Sequence, residues 1–336
     1  MTTLLDTAAA TLNKAGIDSR HRLCCALSGG VDSVVLLDIL NTLQPRFGYA
    51  LQAAHVHHHL CAEADEWQDF CVAHCQRYGI PLQVFRVDVS RDHPGGLEEA
   101  ARIARYNALS QVSCHWLALG HHRDDQAETV LFRLLRGAGV RGTAAMATIE
   151  LASAPGQPGR LRPLLENSRA EISAYANDKN LAWVNDASNA DPRFARNGLR
   201  HHILPAIEAR FPAARATLAR AAKHFREAAD LLDELAKIDG QACQIPHQGL
   251  LSVTGTCGAD AAAACFSRTA LLALSPARLA NLFRYELRRL GARPPSAARL
   301  SEALRQLCAT PAPLTLPLGD FTCFSKRGRV WFSTTP

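Results

Sequence analysis

Short apolar runs alternate with longer stretches in which apolar residues recur every three or four positions. This alternation predicts strand and helix in turn over the first half of the chain. Residues 23–27 form a compact apolar run ending in Ser28, Gly29 and Gly30, after which Leu36, Leu37 and Leu40 recur at helical spacing. Residues 51–56 read as a second strand and 63–78 as a helix stopped by Gly79, Ile80 and Pro81. Residues 82–89 alternate as a third strand, 93–96 turn, and 97–112 are helical. Residues 116–119 are a short buried strand, and 124–136 a helix ended by Gly137. Strands alternating with helices predict an α/β, Rossmann-like parallel sheet with helices on both faces.

The pattern changes further along. Residues 151–160, with two prolines and two glycines, read as a surface loop, and 162–165 resume the sheet or its edge. Helices are expected at 169–179 and 197–209, and Phe211 and Pro212 open a long one reaching about residue 237. Beyond about 240 come helical patterns at 261–274 and 276–290, a Pro-rich stretch and a short β-like tail at 321–332. The expected organisation is an α/β domain at 1–210, a helical connector at 211–240 and a mainly helical domain at 241–336.

Composition narrows the classes. Of 336 residues 48% are hydrophobic and 20% charged, which excludes wholesale disorder. Five of the 37 basic residues are lysines, so 32 are arginines, the cation that pairs bidentately with phosphate and stacks on flat rings. A genome rich in G and C would raise the arginine count equally well. The eleven cysteines are scattered without a Cys-x-x-Cys, which predicts reduced thiols in a cytoplasmic chain and no zinc or iron–sulfur site built on that motif. Asp6 interrupts the N-terminal apolar stretch, unlike a secretory leader, and no apolar run is long enough to span a bilayer.

The sharpest local signal is Ser28, Gly29, Gly30, Val31, Asp32 and Ser33, placed where a strand ends and a helix begins. Two glycines allow a tight turn, and N–H groups at the helix start with two hydroxyls suit an anion. No Gly-Lys-Ser/Thr follows, so this is not a Walker A loop. Asp32 beside phosphate makes chemical sense if Mg²⁺ bridges them; the plain alternative is a helix cap. A second signal again leaves a strand for a helix: His121, Asp125 and Glu128, spaced by four and three, can share one face. Asp124 and Asp125 also suit the helix dipole, and a structural metal at His121 and His122 would need a further ligand that the spacing does not offer.

Residues 28–33 resemble the PP-loop of ATP pyrophosphatases, which cut ATP between its α and β phosphates and transfer AMP to an oxygen. The string from His121 to Gly142 resembles a signature of the tRNA(Ile)-lysidine synthetases within that superfamily. Further segments agree in order: 55–60, where the family usually has Asn at the position of His57; 98–106; 162–165; 183–189; and 196–200. The resemblance covers about residues 20–210. It implies a ligase using ATP and Mg²⁺ that joins L-lysine to C2 of the wobble cytidine of tRNA(Ile) with a CAU anticodon. The cytosine C2 oxygen is adenylated, pyrophosphate leaves, and the lysine ε-amine then displaces AMP.

Residues 28–33 are then the ATP loop, with Asp32 toward Mg²⁺. Asp125 and Glu128 are candidates for the lysine ammonium groups, Arg102 or Arg105 for the lysine carboxylate or ATP phosphates, and His121 for proton transfer or a phosphate contact. From residue 193 to 226 eight basic residues face only Glu208; Arg196, Arg200, Arg215 and Arg220 are the candidate tRNA contacts there. Seven arginines from 278 to 305, including Arg284 and Arg288, and the tail residues Lys326 and Arg327 extend the basic track. A homodimer is compatible with the sequence; neither DNA nor a membrane is an expected partner. Two other readings are a PP-loop tRNA thiolase, against which the missing Cys-x-x-Cys argues, and a tRNA-binding protein without catalysis, against which the intact loop and carboxylates argue.

Overall fold

The first apolar run is a strand buried on both faces, β1 (Arg22–Ala26), in a computed structural model that describes residues 3–152, 154–185, 195–246, 264–292, 295–311 and 313–334. Leu23 and Cys25 point into one core and Cys24 into another, as a strand covered by helices on both sides requires. The chain forms two compact units, Met1–Arg226 and Glu227–Pro336.

The first unit runs α1 (Leu4–Lys14), β1, α2 (Val31–Phe47), β2 (Ala50–His57), α3 (Ala64–Tyr78), β3 (Leu82–Arg86), α4 (Gly96–Leu109), β4 (Trp116–Ala118) and α5 (Arg123–Leu135). There follow α6 (Val140–Thr143), β5 (Ile149–Glu150), β6 (Gly159–Leu161), α7 (Arg169–Asp178), α8 (Ala195–Gly198), a π-helical turn at Leu199–Ile203, and α9 (Leu204–Arg210). The helix α10 (Ala214–Cys243) occupies most of the segment expected as a connector. The sheet order is β3-β2-β1-β4-β6-β5, parallel except for β5. The order reverses between β1 and its neighbour β4, so the connections leaving these two strands run to opposite sides, the arrangement that sets a crevice at the carboxyl edge of a parallel sheet.

Two strands have other bounds than expected. The third strand stops at Arg86 rather than residue 89, because its pairing with β2 ends at His57. Residues 159–161, expected to lie in or just after a loop, are strand β6, and residues 162–165 follow the strand rather than form it. Gly159 is there for space: a Cβ would lie 2.4 Å from Cζ3 of Trp116 on the neighbouring strand. Arg162 then turns inward, donating to the Ala147 carbonyl at 2.7 Å and pairing with Glu150 at 3.0 Å.

The second unit contains β7 (Phe266–Ser267), α11 (Arg268–Ala273), α12 (Pro276–Arg289), α13 (Ala297–Ala309), β8 (Leu314–Pro317), β9 (Phe321–Lys326) and β10 (Arg329–Thr334). The helix expected over 261–274 is confined to α11 among the described residues; Phe266 instead pairs with Val330, and Ser267 caps the helix by accepting from the Ala270 N–H. The β-like tail is the centre of a four-stranded antiparallel sheet, β7-β10-β9-β8. Lys326 pairs with Arg329 across a two-residue turn in which Arg327 and Gly328 both have positive φ (50° and 73°), the geometry of tight hairpins.

Many arginines of the 278–305 stretch are already engaged. Arg278 pairs with buried Asp239, Arg288 with Asp233 at 2.6 Å, Arg289 with Glu286 and Arg305 with Glu302. Arg284 is exposed. The segment is thus less basic than its arginine count suggests. Among the described residues every cysteine is a free thiol, and no helix is long and apolar enough to cross a membrane.

Candidate active site

The loop after β1 is built by close backbone approach. Gly29 has φ of +89°, and its carbonyl accepts from the Val184 N–H at 3.0 Å. A Cβ on Gly29 would lie 2.8 Å from Cγ2 of Val184, so both conformation and space demand glycine. Gly30 is the N-cap of α2 and supplies no side-chain cap. Ser33 Oγ ties the loop together: it accepts from the Ser28 N–H at 3.2 Å, lies 3.2 Å from Ser28 Oγ, and donates to the Gly30 carbonyl at 2.9 Å. The result is a short loop with hydroxyls and a helix start at the crevice, which suits phosphate.

Gly120 brings the turn after β4 against this loop. A Cβ there would meet the Asp32 carbonyl carbon and oxygen at 3.1 Å and the Ser33 nitrogen at 3.3 Å. Two residues on, buried His122 caps α5 through Nδ1, which accepts from the Asp125 N–H at 3.4 Å, while Asp125 Oδ2 accepts from the His122 N–H at 3.0 Å. That arrangement assigns the proton of a neutral imidazole to Nε2. His122 Nε2 lies 3.8 Å from Asp32 Oδ1 and 3.4 Å from Asp125 Oδ2. Asp32 Oδ2 lies 3.2 Å from Nη1 of Arg169. Arg169 opens α7, whose start is fixed by a Ser168–Glu171 capping box and by Arg123 N–H donating to the Asn167 carbonyl at 2.8 Å.

Glu128 lies one turn along α5 and is 2% exposed. Arg200, on the π-helical turn, holds both carboxylates of this face. Its Nε donates to Glu128 Oε1 at 2.6 Å, and its Nη2 donates to Glu128 Oε2 and Asp125 Oδ1 at 3.0 Å each. Burial works against the Arg200 charge, but the bond to Glu128 and the charges of Glu128, Asp125 and Asp32 outweigh it and raise its pKa. Burial raises the Asp32 carboxyl, with the Arg169 cation and, when protonated, His122 working against it. Burial likewise lowers the His122 imidazole despite Asp32 and Asp124.

The structure therefore gathers the loop 28–33, Asp32, Asp125, Glu128 and Arg200 into one cluster with His122, the chain neighbour of His121. It places Arg200, expected as a tRNA contact, among the carboxylates expected for lysine. Arg102 lies on α4 with its guanidinium 5.2 Å from the centroid of the Tyr106 ring. Arg105 Nε donates to His58 Nε2 at 3.4 Å, just beyond β2 at the same sheet edge. Arg215 pairs with Glu208 at 2.9 Å and approaches Asp124 at 3.7 Å. Arg220 is exposed on α10, and Lys326 and Arg327 are exposed on the hairpin of the second unit. The side chain of Arg196 and the segment 186–194 lie outside the described residues. Sequence reasoning missed Arg169; its only signal was the Ser-x-x-Glu capping box around it, which says nothing of a partner 137 positions earlier.

Acid should loosen this unit. Burial lowers His55, His74 and His122, and burial with the Arg105 charge lowers His58 to about 4 from 6.5. The unfolded chain then binds more protons below pH 6.5, so stability is full above that pH and falls as pH drops toward 4. Urea midpoints should fall between pH 7.5 and 5, and less steeply in His58→Asn. Equal pH slopes in the two proteins would remove His58 from this account.

Residues 2–207 match the model of the PP-loop domain, and residues 266–331 that of the TilS substrate binding domain. A tRNA(Ile)-lysidine synthase of Azoarcus is 52% identical over 326 residues, covering 96% of this chain and 68% of that relative. One from Aromatoleum aromaticum is 52% identical over 317 residues, covering 94% of this chain and 70% of that relative. Among solved structures, the U34-tRNA thiolase NcsA of Methanococcus maripaludis superposes with a TM-score of 0.56 at 20% identity, covering 67% of this chain and 78% of that one; at that identity the likeness is one of fold alone.

Proposed function

Because the chain belongs to the tRNA(Ile)-lysidine synthase family, we propose that it uses ATP to join L-lysine to C2 of the wobble cytidine of tRNA(Ile) with a CAU anticodon. The observation that carries this reading is the cluster of Asp32, Asp125, Glu128 and Arg200 where the loops after β1 and β4 diverge. The first half-reaction needs an anion site: the cytosine C2 oxygen attacks the α-phosphorus, and pyrophosphate departs toward the 28–33 loop. The second needs an acidic site: the ε-amine attacks C2, loses a proton, and AMP leaves. A carbonyl oxygen is a poor leaving group, whereas AMP is a good one.

Asp125 and Glu128 offer four carboxylate oxygens to cationic groups, and Arg200 takes three of them in this structure. An incoming ammonium group would share or displace that guanidinium. Asp32 fits a metal: its Oδ1 is buried without a hydrogen-bond partner, the condition in which a carboxylate oxygen calls for a cation. Among the described residues no three His, Cys, Asp or Glu side chains form a protein-only metal site. Mg²⁺ would therefore be held by Asp32 together with ATP phosphates, where it would neutralise charge developing on pyrophosphate. His122 positions Asp125 through its cap, and His121 is the candidate proton carrier. This role places the chain's work in the cytoplasm.

The test is incorporation of radiolabelled lysine into total tRNA with ATP and Mg²⁺. Lysine should enter only in the presence of ATP, with one pyrophosphate released per lysine. Pyrophosphate release without lysine incorporation would point instead to another nucleophile in place of lysine, such as the sulfur donor of a thiolase.

A further inference from the structure

The outer face of the C-terminal sheet carries chemistry that the catalytic cluster does not use. Alternation along β9 and β10 sends Cys323, Val330 and Phe332 into the core of the second unit, where Phe332 meets Phe283 edge-on at 5.1 Å. The residues between them face the other way. Phe324 and Trp331 are a directly opposed cross-strand pair on that outer face, their rings stacked at 5.6 Å with an interplanar angle of 16°. Both are half-buried, and neither belongs to the core built by the inner face. Two residues along the same face, roughly 7 Å away, the opposed pair is Lys326 and Arg329, with Arg327 at the tip of the turn.

A half-buried pair of stacked aromatic rings bordered by cations is complementary to a nucleotide, a flat ring joined to an anion that can extend the stack. The α12 and α13 arginines make a poorer phosphate track, since Arg278, Arg288, Arg289 and Arg305 already hold carboxylates. We propose that Trp331 and Phe324 form a stacking platform for an unpaired nucleobase of tRNA, with Lys326 and Arg327 holding the adjoining phosphates. The platform rests on the tRNA reading above and adds a base contact to what would otherwise be a purely electrostatic grip.

Stacking and phosphate contacts separate by their salt dependence. Binding of a tRNA(Ile) transcript with a CAU anticodon to the full chain should weaken about tenfold in Trp331→Ala, typical of one lost stacked base. Its log–log salt slope should stay that of the parent chain, and Trp331→Phe should keep most of the affinity. A Lys326→Ala/Arg327→Ala double variant should instead flatten the slope by about 1.4, the release expected for two contacts to single-stranded phosphates. Ultraviolet crosslinking of the parent chain to the same transcript, followed by peptide mapping, should label the peptide carrying residues 321–334. That measurement decides the matter if Trp331→Ala fails to fold by circular dichroism. Unchanged affinity in a folded Trp331→Ala, a flattened slope in that variant, or no crosslink in 321–334 overturns the platform while leaving tRNA binding intact. Failure of the parent chain to bind the transcript overturns the tRNA reading itself, and the platform with it.

Discussion

Asp32→Ala should abolish ATP-dependent lysine incorporation in a chain that remains folded. The expected loss is on the order of 10³-fold or more, about 4 kcal/mol of transition-state stabilisation. Asp32 stands in the first turn of α2, with one oxygen beside Arg169 and the other buried without a hydrogen bond. Burial already disfavours its charged form, so removing it relieves a desolvation penalty and should cost little stability. Asp32→Asn keeps the shape and loses the charge, and should fail almost as completely. The assay is pyrophosphate release and lysine incorporation at saturating Mg²⁺, with melting as the control. Near-normal turnover in a folded Asp32→Ala would reduce this carboxylate to a helix-start residue stabilised by the dipole.

Glu128→Gln should raise the KM for lysine by roughly 10- to 150-fold, corresponding to about 1.5–3 kcal/mol for a hydrogen bond to a charged group. ATP affinity should change little, because the loop 28–33 is on the other strand of the crevice. The geometry adds a condition: Glu128 also holds Arg200 through both oxygens. Losing its charge leaves Arg200 with Asp125 as its remaining carboxylate in the cluster. Some stability should therefore be lost too, and lysine kinetics must be read well below the melting transition. Arg200→Met separates the roles, since it frees Asp125 and Glu128 without discharging them. If the carboxylates receive lysine, this variant keeps or lowers the lysine KM. If Arg200 itself helps hold lysine, for instance by its carboxylate, KM rises in this variant as well. An unchanged lysine KM in Glu128→Gln would leave the Glu128–Arg200 pair a structural tie between α5 and the π-helical turn.

Local signals were legible because local physics sets them. The apolar run at β1, the glycines that end it and the helical recurrence of Leu36, Leu37 and Leu40 together predict strand, turn and helix, and β1 and α2 stand there. The same holds for β4 and α5, where two first-turn acids and a turn-forming glycine mark the helix start. Strand ends were less legible. Residues 87–89 continue the alternation of β3, but a strand ends where its partner stops offering backbone groups, and β2 stops at His57. Gly159 illustrates the same limit: among prolines it reads as a loop, yet its reason is the Trp116 ring on the next strand.

The sequence by itself determined the order of strands and helices, the two strand-to-helix turns after β1 and β4, and the residue types in them. These depend on neighbours within a few positions, and periodicity and turn chemistry report such neighbours directly. Only the tertiary structure decided which charges meet. Arg200 lies 72 positions from Glu128, and Arg169 lies 137 positions from Asp32, yet each pair is in contact. The basic run around Arg200 reads as a surface for phosphate, and the structure turns this one arginine inward to carboxylates. Likewise Asp233 and Asp239, on α10, neutralise arginines of α12 that the sequence counts as free charge. Electrostatic partners are chosen by distance in space, and the chain's order along its length carries no record of that distance until the sheet and helices have packed.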